Sequence, residues 1–401
     1  MFKSNNSKDE VKEDDEYDSS YEINTWDELD LNTDLLRGIY AYGFEKPSPI
    51  QCKSIKPLMM KKDVIAQAQS GTGKTAAFTI GALSRIDLEN QSTQVLILSP
   101  TRELSIQTSS VVSNIGGMMS GLRVQTLFGG NYTEDDYDSH FKKVEPHLIA
   151  GCPGRIQDMI RRDKINASSI KLVILDEADE LLSSGFKDQI YSIFQSFNSE
   201  IQVALFTATL PSYIDNVVEK IMRNPVKIFV KAERLTLEGI SQYFVAVEDD
   251  KQKYATLKDL YSYISMSQCI IYCNSVKRVS DLYDAMHEDG FPVCCIHSNM
   301  DKQARSNSFN EFKSGKYRVL ISSNVTSRGI DIQQVSTVIN FDIPKCIHNY
   351  IHRIGRSGRW GRKGVGINFI TRRDVSKLKE IETHYSCQIN ELPSSFDNLC
   401  K

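Results

Sequence analysis

The sequence predicts an α/β protein built on two parallel sheets. Two series of short apolar runs alternate with helical patterns, and continuous apolar runs of this kind are typical of strands buried on both faces. The pattern breaks at 231–239, and a length of 401 residues allows two or three domains. The predicted strands are Asp63–Ala66, Val95–Leu98, Val124–Phe128, Leu148–Ala150, Leu172–Leu175, Val203–Phe206 and Ile228–Val230, then Gln242–Val247, Cys269–Tyr272, Val293–Ile296, Val319–Ile321, Val338–Ile339 and Val365–Phe369.

The composition is that of an ordinary soluble globular protein, with 40% apolar and 25% charged residues. No apolar run reaches 18 residues and the N-terminus is polar, so the sequence predicts neither a membrane span nor a secretory signal. The nine cysteines show no metal-binding spacing, which indicates free thiols in a reducing compartment.

The first 30 residues are strongly acidic, with three lysines and eleven aspartates or glutamates, a net charge of −8. The rest of the chain keeps 45 of the 48 basic and 40 of the 51 acidic residues, which gives it a net charge of +5. A mildly basic body is compatible with phosphate ligands without demonstrating them. We predict that residues 1–24 form a disordered acidic tail, because they offer little apolar surface to bury.

Two segments precede the first predicted strand. Apolar residues between Leu29 and Tyr40 recur at helical spacing and predict a helix packed by one face. The next segment, Gly43–Gln51, contains two prolines that fix a turn. Within it, the Gln51 amide can pair with the N6/N7 edge of adenine and Phe44 can stack on the ring. Taken alone, the segment is better explained as an ordinary turn before a helix.

The segment 68–75 lies between a predicted strand and a predicted helix, which is the context of a phosphate-binding loop. Gly71 and Gly73 let the backbone point its N–H groups at an anion. Lys74 can reach the β- and γ-phosphates, and the Thr75 hydroxyl can hold Mg²⁺. Ala68 stands where the general pattern has its first glycine, and the alternative is a glycine-rich turn without a ligand. The flanking strand and helix favour nucleoside triphosphate binding.

An acidic run follows the predicted strand Leu172–Leu175. Asp176 at the strand end is suited to hold Mg²⁺ through water. Glu177 is a candidate for polarising an attacking water. The alternative is an acidic helix start, because Asp and Glu favour the first turn of a helix.

Four further segments follow strands of the first series. Backbone N–H groups, hydroxyls and single arginines at strand ends suit contacts along a phosphodiester backbone. Each segment alone is an ordinary turn or cap, and only their repetition at one sheet edge favours nucleic-acid binding. The segments are Ser99–Glu103, Gly129–Gly130, Pro153–Arg155 and Phe206–Pro211.

The second series has no Gly-x-Gly-Lys-Thr loop, but it has a basic segment. His352–Arg362 contains four arginines and three glycines in eleven residues. Arginine supplies planar donors to phosphate oxygens, so these side chains are candidate transition-state fingers. The alternatives are a nonspecific basic turn and an RNA-facing loop without a catalytic part.

Taken together and in this order, the motifs resemble those of DEAD-box RNA helicases, most closely the translation-initiation-factor 4A type. The resemblance extends from about Trp26 to the end of the chain. It implies two tandem RecA-like domains, with ATP and RNA bound across the interdomain cleft: an ATP-binding domain at 25–230 that includes an adenine-reading segment at 25–53, a linker at 231–239 and a C-terminal domain at 240–401. The segments that carry it are Phe44–Gln51, 68–75, Pro100–Leu104, Asp176–Asp179 and His352–Gly361, with Leu35–Ser48 and Gly185–Tyr191 between motifs.

The resemblance also implies roles for individual residues in an ATP and Mg²⁺ site. Thr75 and Asp176 would hold Mg²⁺, partly through water. The residues implied in catalysis are Lys74, Glu177, Arg356 and Arg359, the two arginines at the γ-phosphate. The residues implied in binding ATP are Phe44, Gln51, Ala68, Gln69, Ser70, Gly71, Thr72, Gly73, Lys74, Thr75, Asp331 at the ribose and Trp360 at the adenine.

The implied activity is RNA-stimulated ATP hydrolysis coupled to separation of short RNA duplexes or remodelling of RNA–protein complexes. The resemblance further implies single-stranded or duplex RNA as partner, protein partners that set target and activity, a monomer, and a role in translation initiation in the cytoplasm, with the nucleus left open. The residues implied in binding RNA are Thr101, Arg102, Gly130, Pro153, Gly154, Arg155, Asn274, Arg305 and Ser323.

Several positions depart from the family pattern, and they cluster on the implied RNA side and in the second domain. ATP binding is therefore a firmer expectation than efficient strand separation. One alternative is an ATP-gated RNA clamp that unwinds little, and another is a P-loop ATPase acting on protein or DNA. The departures are Thr207-Ala-Thr209 for Ser-Ala-Thr, Cys152 for Thr, Ser323-Asn324 for Thr-Asp, Ser327 for Ala and His297-Ser-Asn-Met300 for His-Gly-Asp-Met.

Overall fold

The computed structural model describes residues 18–69, 71–129, 144–183, 185–230, 239–264, 267–326, 335–357 and 364–393. These residues form two compact units, one around each of two seven-stranded sheets. Every pairing between described strands is parallel, which confirms the predicted sheet class and the two tandem RecA-like domains. No helix among the described residues is long and apolar enough to cross a membrane.

The first unit has the strand order β3-β4-β2-β5-β6-β1-β7. Each predicted strand of the first series is present, with bounds that differ by at most two residues. The strands are β1 Val64–Gln67, β2 Val95–Leu98, β3 Val124–Leu127, β4 Leu148–Gly151, β5 Leu172–Asp176, β6 Gln202–Thr207 and β7 Val226–Phe229.

Helices cover both faces of this sheet, which explains why its central strands are apolar at every position. Ile97 and Ile174 pack on one face in the cluster that includes Phe78, whereas Leu96 and Val173 pack on the other. The helices are α1 Thr33–Ala41, α2 Pro49–Met59, α3 Lys74–Leu83, α4 Arg102–Ile115, α5 Pro153–Arg161, α6 Ala178–Leu181, α7 Lys187–Phe194 and α8 Asp215–Ile221.

Residues 18–24 differ from the predicted disordered tail. Ser19–Tyr21 form a 3-10 turn, and the Ile23 amide donates to the Cys52 carbonyl at 3.1 Å. Ile23 is 1% exposed and belongs to the core of the first unit. The prediction was wrong here because composition does not register a single apolar anchor in a polar segment. The remainder of the predicted tail, residues 1–17, lies outside the described residues.

The predicted helix from Leu29 to Tyr40 begins later than expected. The Asn32 side chain accepts from the Asp34 amide at 2.8 Å and caps α1, so Leu29 and Leu31 lie before the helix. Leu29 is nevertheless buried, and Trp26 before it is 0% exposed with its indole N–H donating to the Phe44 carbonyl at 3.0 Å. The buried apolar residues of this irregular segment have a spacing similar to that of one helix face, so the sequence predicted a longer helix.

The second unit has the strand order β10-β11-β9-β12-β13-β8-β14, which repeats the order of the first unit when its strands are renumbered from one. Its strands are β8 Ile240–Ala246, β9 Gln268–Tyr272, β10 Val293–Ile296, β11 Val319–Ser322, β12 Val335–Asn340, β13 Gly364–Ile370 and β14 Asn390–Glu391. Its helices are α9 Asp250–Ile264, α10 Val276–Glu288, α11 Lys302–Lys313, α12 Ile347–Ile354 and α13 Val375–Tyr385. The predicted linker, apart from Gly239, lies outside the described residues.

Candidate active site

The predicted phosphate loop connects β1 to α3. Gly71 and Gly73 have φ values of 83° and 96°, in the left-handed region that glycine adopts without strain. Gly73 is the N-cap of α3, and Lys74 begins the helix. Lys74 is 6% exposed, and its ammonium donates to the Ala68 carbonyl at 2.6 Å. The loop therefore surrounds a buried cation at a helix N-terminus, an arrangement suited to a polyphosphate.

Gln51 connects the predicted adenine-reading segment to this loop. Its Nε2 donates to the Gly73 carbonyl at 3.2 Å, and its Oε1 accepts from the Ser48 amide at 2.8 Å. A Cβ at Gly73 would lie 2.6 Å from Gln51 Nε2, so this approach requires glycine. An amide has two N–H groups and two oxygen lone pairs, and these contacts use one of each. Phe44 lies beside Tyr42, with ring centroids 4.9 Å apart.

The two predicted catalytic carboxylates lie at the end of β5. Asp176 and Glu177 are each 3% exposed. Glu177 has a φ of 51°, an uncommon conformation for a residue other than glycine, and such backbone strain clusters at functional sites. Its amide donates to Asp176 Oδ1 at 3.0 Å. Burial raises the pKa of the Asp176 carboxyl, the Glu177 carboxylate raises it further, and the Lys74 ammonium opposes both.

The same carboxylates provide a test of whether Mg²⁺ fits here. In the described part of the chain, neither Asp176 Oδ2 nor Glu177 Oε2 has a hydrogen-bond partner, although both atoms are buried. Buried anionic oxygens without donors are costly, and a hard divalent cation with oxygen ligands would satisfy them. Thr75, in the first turn of α3, is half-buried and adds a hydroxyl. The donor set therefore fits the predicted metal.

Asp179 joins the acidic run to the segment after β6. The Thr209 hydroxyl donates to Asp179 Oδ2 and the Tyr213 hydroxyl donates to its carbonyl, both at 2.6 Å. Thr207, which stands where the family pattern has serine, donates its hydroxyl to the Thr209 carbonyl at 2.7 Å. Thr207 therefore keeps the hydroxyl of the family pattern, and this hydroxyl helps to fix the segment after β6. Sequence reasoning missed Tyr213, because nothing in its spacing connects it to Asp179.

Two predicted RNA-binding segments lie at the ends of neighbouring strands of the first sheet. β2 pairs with β4 through Leu98 and Gly151, and the Ser99 amide donates to the Gly151 carbonyl at 2.9 Å. Each strand is followed by a helix whose first turn carries predicted residues. The Cys152 side chain makes no cap at the start of α5, whereas a threonine there would offer a hydroxyl. The residues brought to this edge are Thr101, Arg102, Pro153, Gly154 and Arg155.

The predicted RNA-binding residues of the second unit lie beyond three strands, and the side chain of Asn274 already makes hydrogen bonds within the protein. Asn274 follows β9; its Nδ2 donates to the Ile343 carbonyl at 2.7 Å, and its Oδ1 accepts from Arg353 at 2.9 Å. Ser323 directly follows β11, and Arg305 lies in the first turn of α11. An RNA contact by Asn274 would therefore use its backbone or require these side-chain bonds to break.

The basic segment begins at the end of α12. Arg356 is 3% exposed, and its Nε donates to the His352 carbonyl at 3.2 Å. Arg353, three residues before it, was not singled out by the sequence, yet it is 0% exposed and makes four hydrogen bonds to described residues. Its position as the first of the four arginines in the basic segment was the signal in the sequence that could have identified it. The predicted site residues that lie outside the described residues are Ser70, Gly130, Asp331, Arg359 and Trp360.

Comparison with known proteins agrees with this site. Residues 48–217 match the DEAD/DEAH box helicase family, and residues 252–361 match the helicase conserved C-terminal domain. The chain therefore belongs to the DEAD-box family of RNA helicases, as its motifs predicted.

Its similarity to individual members extends along nearly the whole chain. It is 48% identical to Eukaryotic initiation factor 4A of Caenorhabditis elegans over 379 residues, 94% of this chain and 93% of the relative. It is 49% identical to ATP-dependent RNA helicase FAL1 of Saccharomyces cerevisiae over 380 residues, 94% of each chain. The structure of S. cerevisiae Dbp5 bound to RNA and ADP BeF3 is similar in fold, with a TM-score of 0.86 and 33% identity, covering 92% of this chain and 95% of that one.

Proposed function

We propose that this chain hydrolyses ATP in response to RNA and uses the reaction to separate short RNA duplexes or to remodel RNA–protein complexes, without preference for sequence. The observation that carries the proposal is the buried group formed by Lys74, Asp176 and Glu177, in which a cation at a helix N-terminus accompanies two carboxylates with unpartnered oxygens. Family membership fixes the reaction class, because DEAD-box proteins are ATP-dependent RNA helicases.

Each of these residues has a role that follows from its surroundings. Lys74 neutralises the phosphates, and the glycines of the loop let backbone N–H groups face them. Glu177 accepts a proton from, and orients, the attacking water. Asp176 and Thr75 would hold Mg²⁺, which supplies charge neutralisation at the phosphates when it is bound. Gln51 has an N–H and a lone pair left for an adenine edge, which selects ATP.

Arg356 and Arg359 complete this proposal at the γ-phosphate. A guanidinium placed there stabilises the negative charge that develops during phosphoryl transfer. If these arginines reach the phosphate only when RNA is bound, hydrolysis depends on RNA. RNA itself is bound through its backbone and 2′-hydroxyls at Thr101, Arg102 and Pro153–Arg155, which accounts for the absence of sequence preference.

A steady-state ATPase assay combined with melting of a short fluorescent RNA duplex tests the proposal. We expect single-stranded RNA to stimulate turnover, DNA of the same sequence to stimulate it less, and ATP to be required for melting. Lys74→Ala should lose about a hundredfold of the stimulated rate, because it removes the phosphate-neutralising charge. Equal turnover with and without RNA would reject the proposal and favour an ATPase that acts on protein or DNA.

The departures on the RNA side support a second candidate, an ATP-gated RNA clamp with little unwinding. Cys152 provides no side-chain cap at the start of α5, and Asn324 replaces an acidic residue of the family pattern. A clamp would hold RNA for long periods after each hydrolysis and melt duplexes slowly. Simultaneous measurement of RNA dissociation and duplex melting decides between the candidates, since prompt ATP-dependent melting rejects the clamp.

Protein partners and cellular location complete the proposal. We propose that partner proteins set target and activity; the fold relative Dbp5 has also been solved bound to Gle1 and IP6. The similarity to Eukaryotic initiation factor 4A supports a role in translation initiation. We propose in addition that the protein acts as a monomer in the cytoplasm.

A further inference from the structure

Among the described residues, a buried arginine in the second unit is held by four oxygens from three segments. Arg353 Nε donates to Asn324 Oδ1 at 2.8 Å, and Nη2 donates to Asn274 Oδ1 at 2.9 Å. Nη1 donates twice, to Asn340 Oδ1 at 3.1 Å and to the Asp342 carbonyl at 2.8 Å. The guanidinium also lies over the Tyr272 ring, 5.2 Å from its centroid.

The acceptors are notable for being neutral. Three are amide oxygens and one is a backbone carbonyl, so among the described residues no carboxylate accepts a hydrogen bond from Arg353. The nearby Asp342 carboxylate is instead engaged by Arg278. Burial lowers the pKa of Arg353 to about 10. A buried cation that is held only by neutral groups is bound less strongly than one paired with a carboxylate.

These contacts connect segments with different proposed tasks. Asn274 and the residue before Asn324, Ser323, are proposed to contact RNA after β9 and β11. Arg353 lies in the last turn of α12, three residues before Arg356, and the Arg356 amide donates to the Arg353 carbonyl at 3.1 Å. A displacement of either loop by RNA would therefore be transmitted through one guanidinium to the start of the arginine-containing segment.

We propose that Arg353 is a positioning residue that couples RNA binding on the second unit to the placement of Arg356, and that Asn324 sets how strongly this coupling is made. The inference rests on the proposed RNA-stimulated hydrolysis. Arg353 itself does not touch ATP or RNA in this proposal.

The hydrogen bond between Arg353 and Asn324 can be changed by substitution of Asn324 without creating a cavity in the core. Asn324 is exposed, although its Oδ1 accepts from the buried guanidinium, so substitutions there have little effect on packing. It is also the position at which the chain has an amide where the family pattern has a carboxylate. Asn324→Asp would replace a neutral acceptor with an anionic one, and hydrogen bonds between charged partners are roughly twice as strong.

The experiment measures ATP turnover with saturating RNA and without RNA in three full-length variants. For Asn324→Ala we expect the RNA stimulation to fall about fivefold, which corresponds to the net contribution of one ordinary hydrogen bond made by an exposed residue. Asn324→Asp should equal or exceed the wild-type stimulation. Arg353→Lys keeps the charge but loses the planar fork, and should lose stimulation by about tenfold or more.

Two readouts separate positioning from a merely structural role. The KM for ATP without RNA and the thermal unfolding midpoint should stay unchanged in both Asn324 variants, while kcat with RNA changes. Asn310→Ala and Asn310→Asp make the same chemical changes at an exposed residue of α11 and should leave stimulation unchanged. Wild-type stimulation in Asn324→Ala, or equal losses in Asn324→Ala and Asn310→Ala, would overturn the inference. Absence of stimulation in the wild-type protein would instead reject the proposed function.

Discussion

The two sheets have the same strand order, yet the carboxylates that follow two corresponding strands differ in how their negative charge is balanced. In the first unit, β5 ends at Asp176, which has a buried oxygen without a partner in the described chain. In the second unit, β12 corresponds to β5 and is followed by Asp342. Both Asp342 oxygens accept from Arg278 at 2.6 Å, and the Lys253 ammonium lies 3.5 Å away.

The difference shows how one architecture supports two kinds of site. The first unit leaves carboxylate oxygens unsatisfied, which prepares a place for a cation. The second unit neutralises its carboxylate internally, and its remaining arginines suit phosphate oxygens. After β8, which corresponds to β1, the chain enters α9 through Val247, Glu248 and Asp249, without the glycines of the phosphate loop. Local loop chemistry, more than strand order, separates the two functions.

The largest expected effect follows from changing a carboxylate of the first unit, which should abolish the chemistry that distinguishes this unit from the second. Glu177→Gln keeps the size of the side chain but removes its ability to accept a proton, so RNA-stimulated turnover should fall by about a hundredfold or more. Single-turnover hydrolysis measures this loss. Glu180→Gln, three residues later, is the matched control and should turn over at the wild-type rate. ATP affinity should be retained in both variants, and near-normal hydrolysis in Glu177→Gln would contradict the assigned role.

The corresponding change in the second unit should affect stability instead of chemistry. Asp342→Asn leaves Arg278 and the buried Lys253 without their shared carboxylate, which should cost about 2 kcal/mol of unfolding free energy. Hydrogen exchange should show faster opening of β9 and β12, with β1 and β5 unchanged as internal reference. Asp289→Asn, which removes an exposed pair with Lys258, is the control and should have little effect. Faster exchange in β1 and β5 would mean that the network does not act within its own unit.

A smaller effect is expected where the phosphate loop meets Gln51. Gly73→Ala forces a side chain into the left-handed region and places its Cβ against Gln51 Nε2, so ATP affinity should fall about tenfold. Equilibrium titration with a fluorescent ATP analogue measures the change. Gly290→Ala provides the matched control in the second unit, because its φ is 82° with open space around it. That variant should bind ATP normally, and an unchanged affinity in Gly73→Ala would show that the loop tolerates a side chain.

Much of the fold could be predicted from the sequence, because buried parallel strands leave continuous apolar runs. Runs such as Val95–Leu98 and Val293–Ile296 are strands with the predicted bounds. The phosphate loop and the acidic run were also recognisable, since each occurs directly after such a strand. These signals are local, so neighbouring residues are enough to reveal them.

The parts that could not be predicted depend on partners distant in sequence. The contact between Gln51 and Gly73 spans 22 positions, and Arg353 collects acceptors from segments as far away as Asn274. The left-handed conformation of Glu177, which lies between β5 and α6, has no signal in residue type. Ile23 was missed because a single apolar residue produces no periodicity, although it is almost fully buried.

The smallest expected effect distinguishes the two units by pH. His147, next to β4, is fully buried, and Arg123 donates to its ring. Burial lowers the pKa of His147, and the Arg123 guanidinium lowers it further, while Asp87 opposes them.

The unfolded chain, in which the histidine has a pKa of about 6.5, therefore takes up a proton before the folded unit does as the pH falls. The stability that His147 contributes is present above this value and is lost as the pH falls towards the lowered pKa. The exchange protection factors of the β3 and β4 amides, which are corrected for the pH dependence of intrinsic exchange, should therefore fall between neutral and mildly acidic pH, more than those of β8 and β13, and His147→Gln should reduce the difference. An identical pH response in the variant would assign the effect to other groups of the first unit.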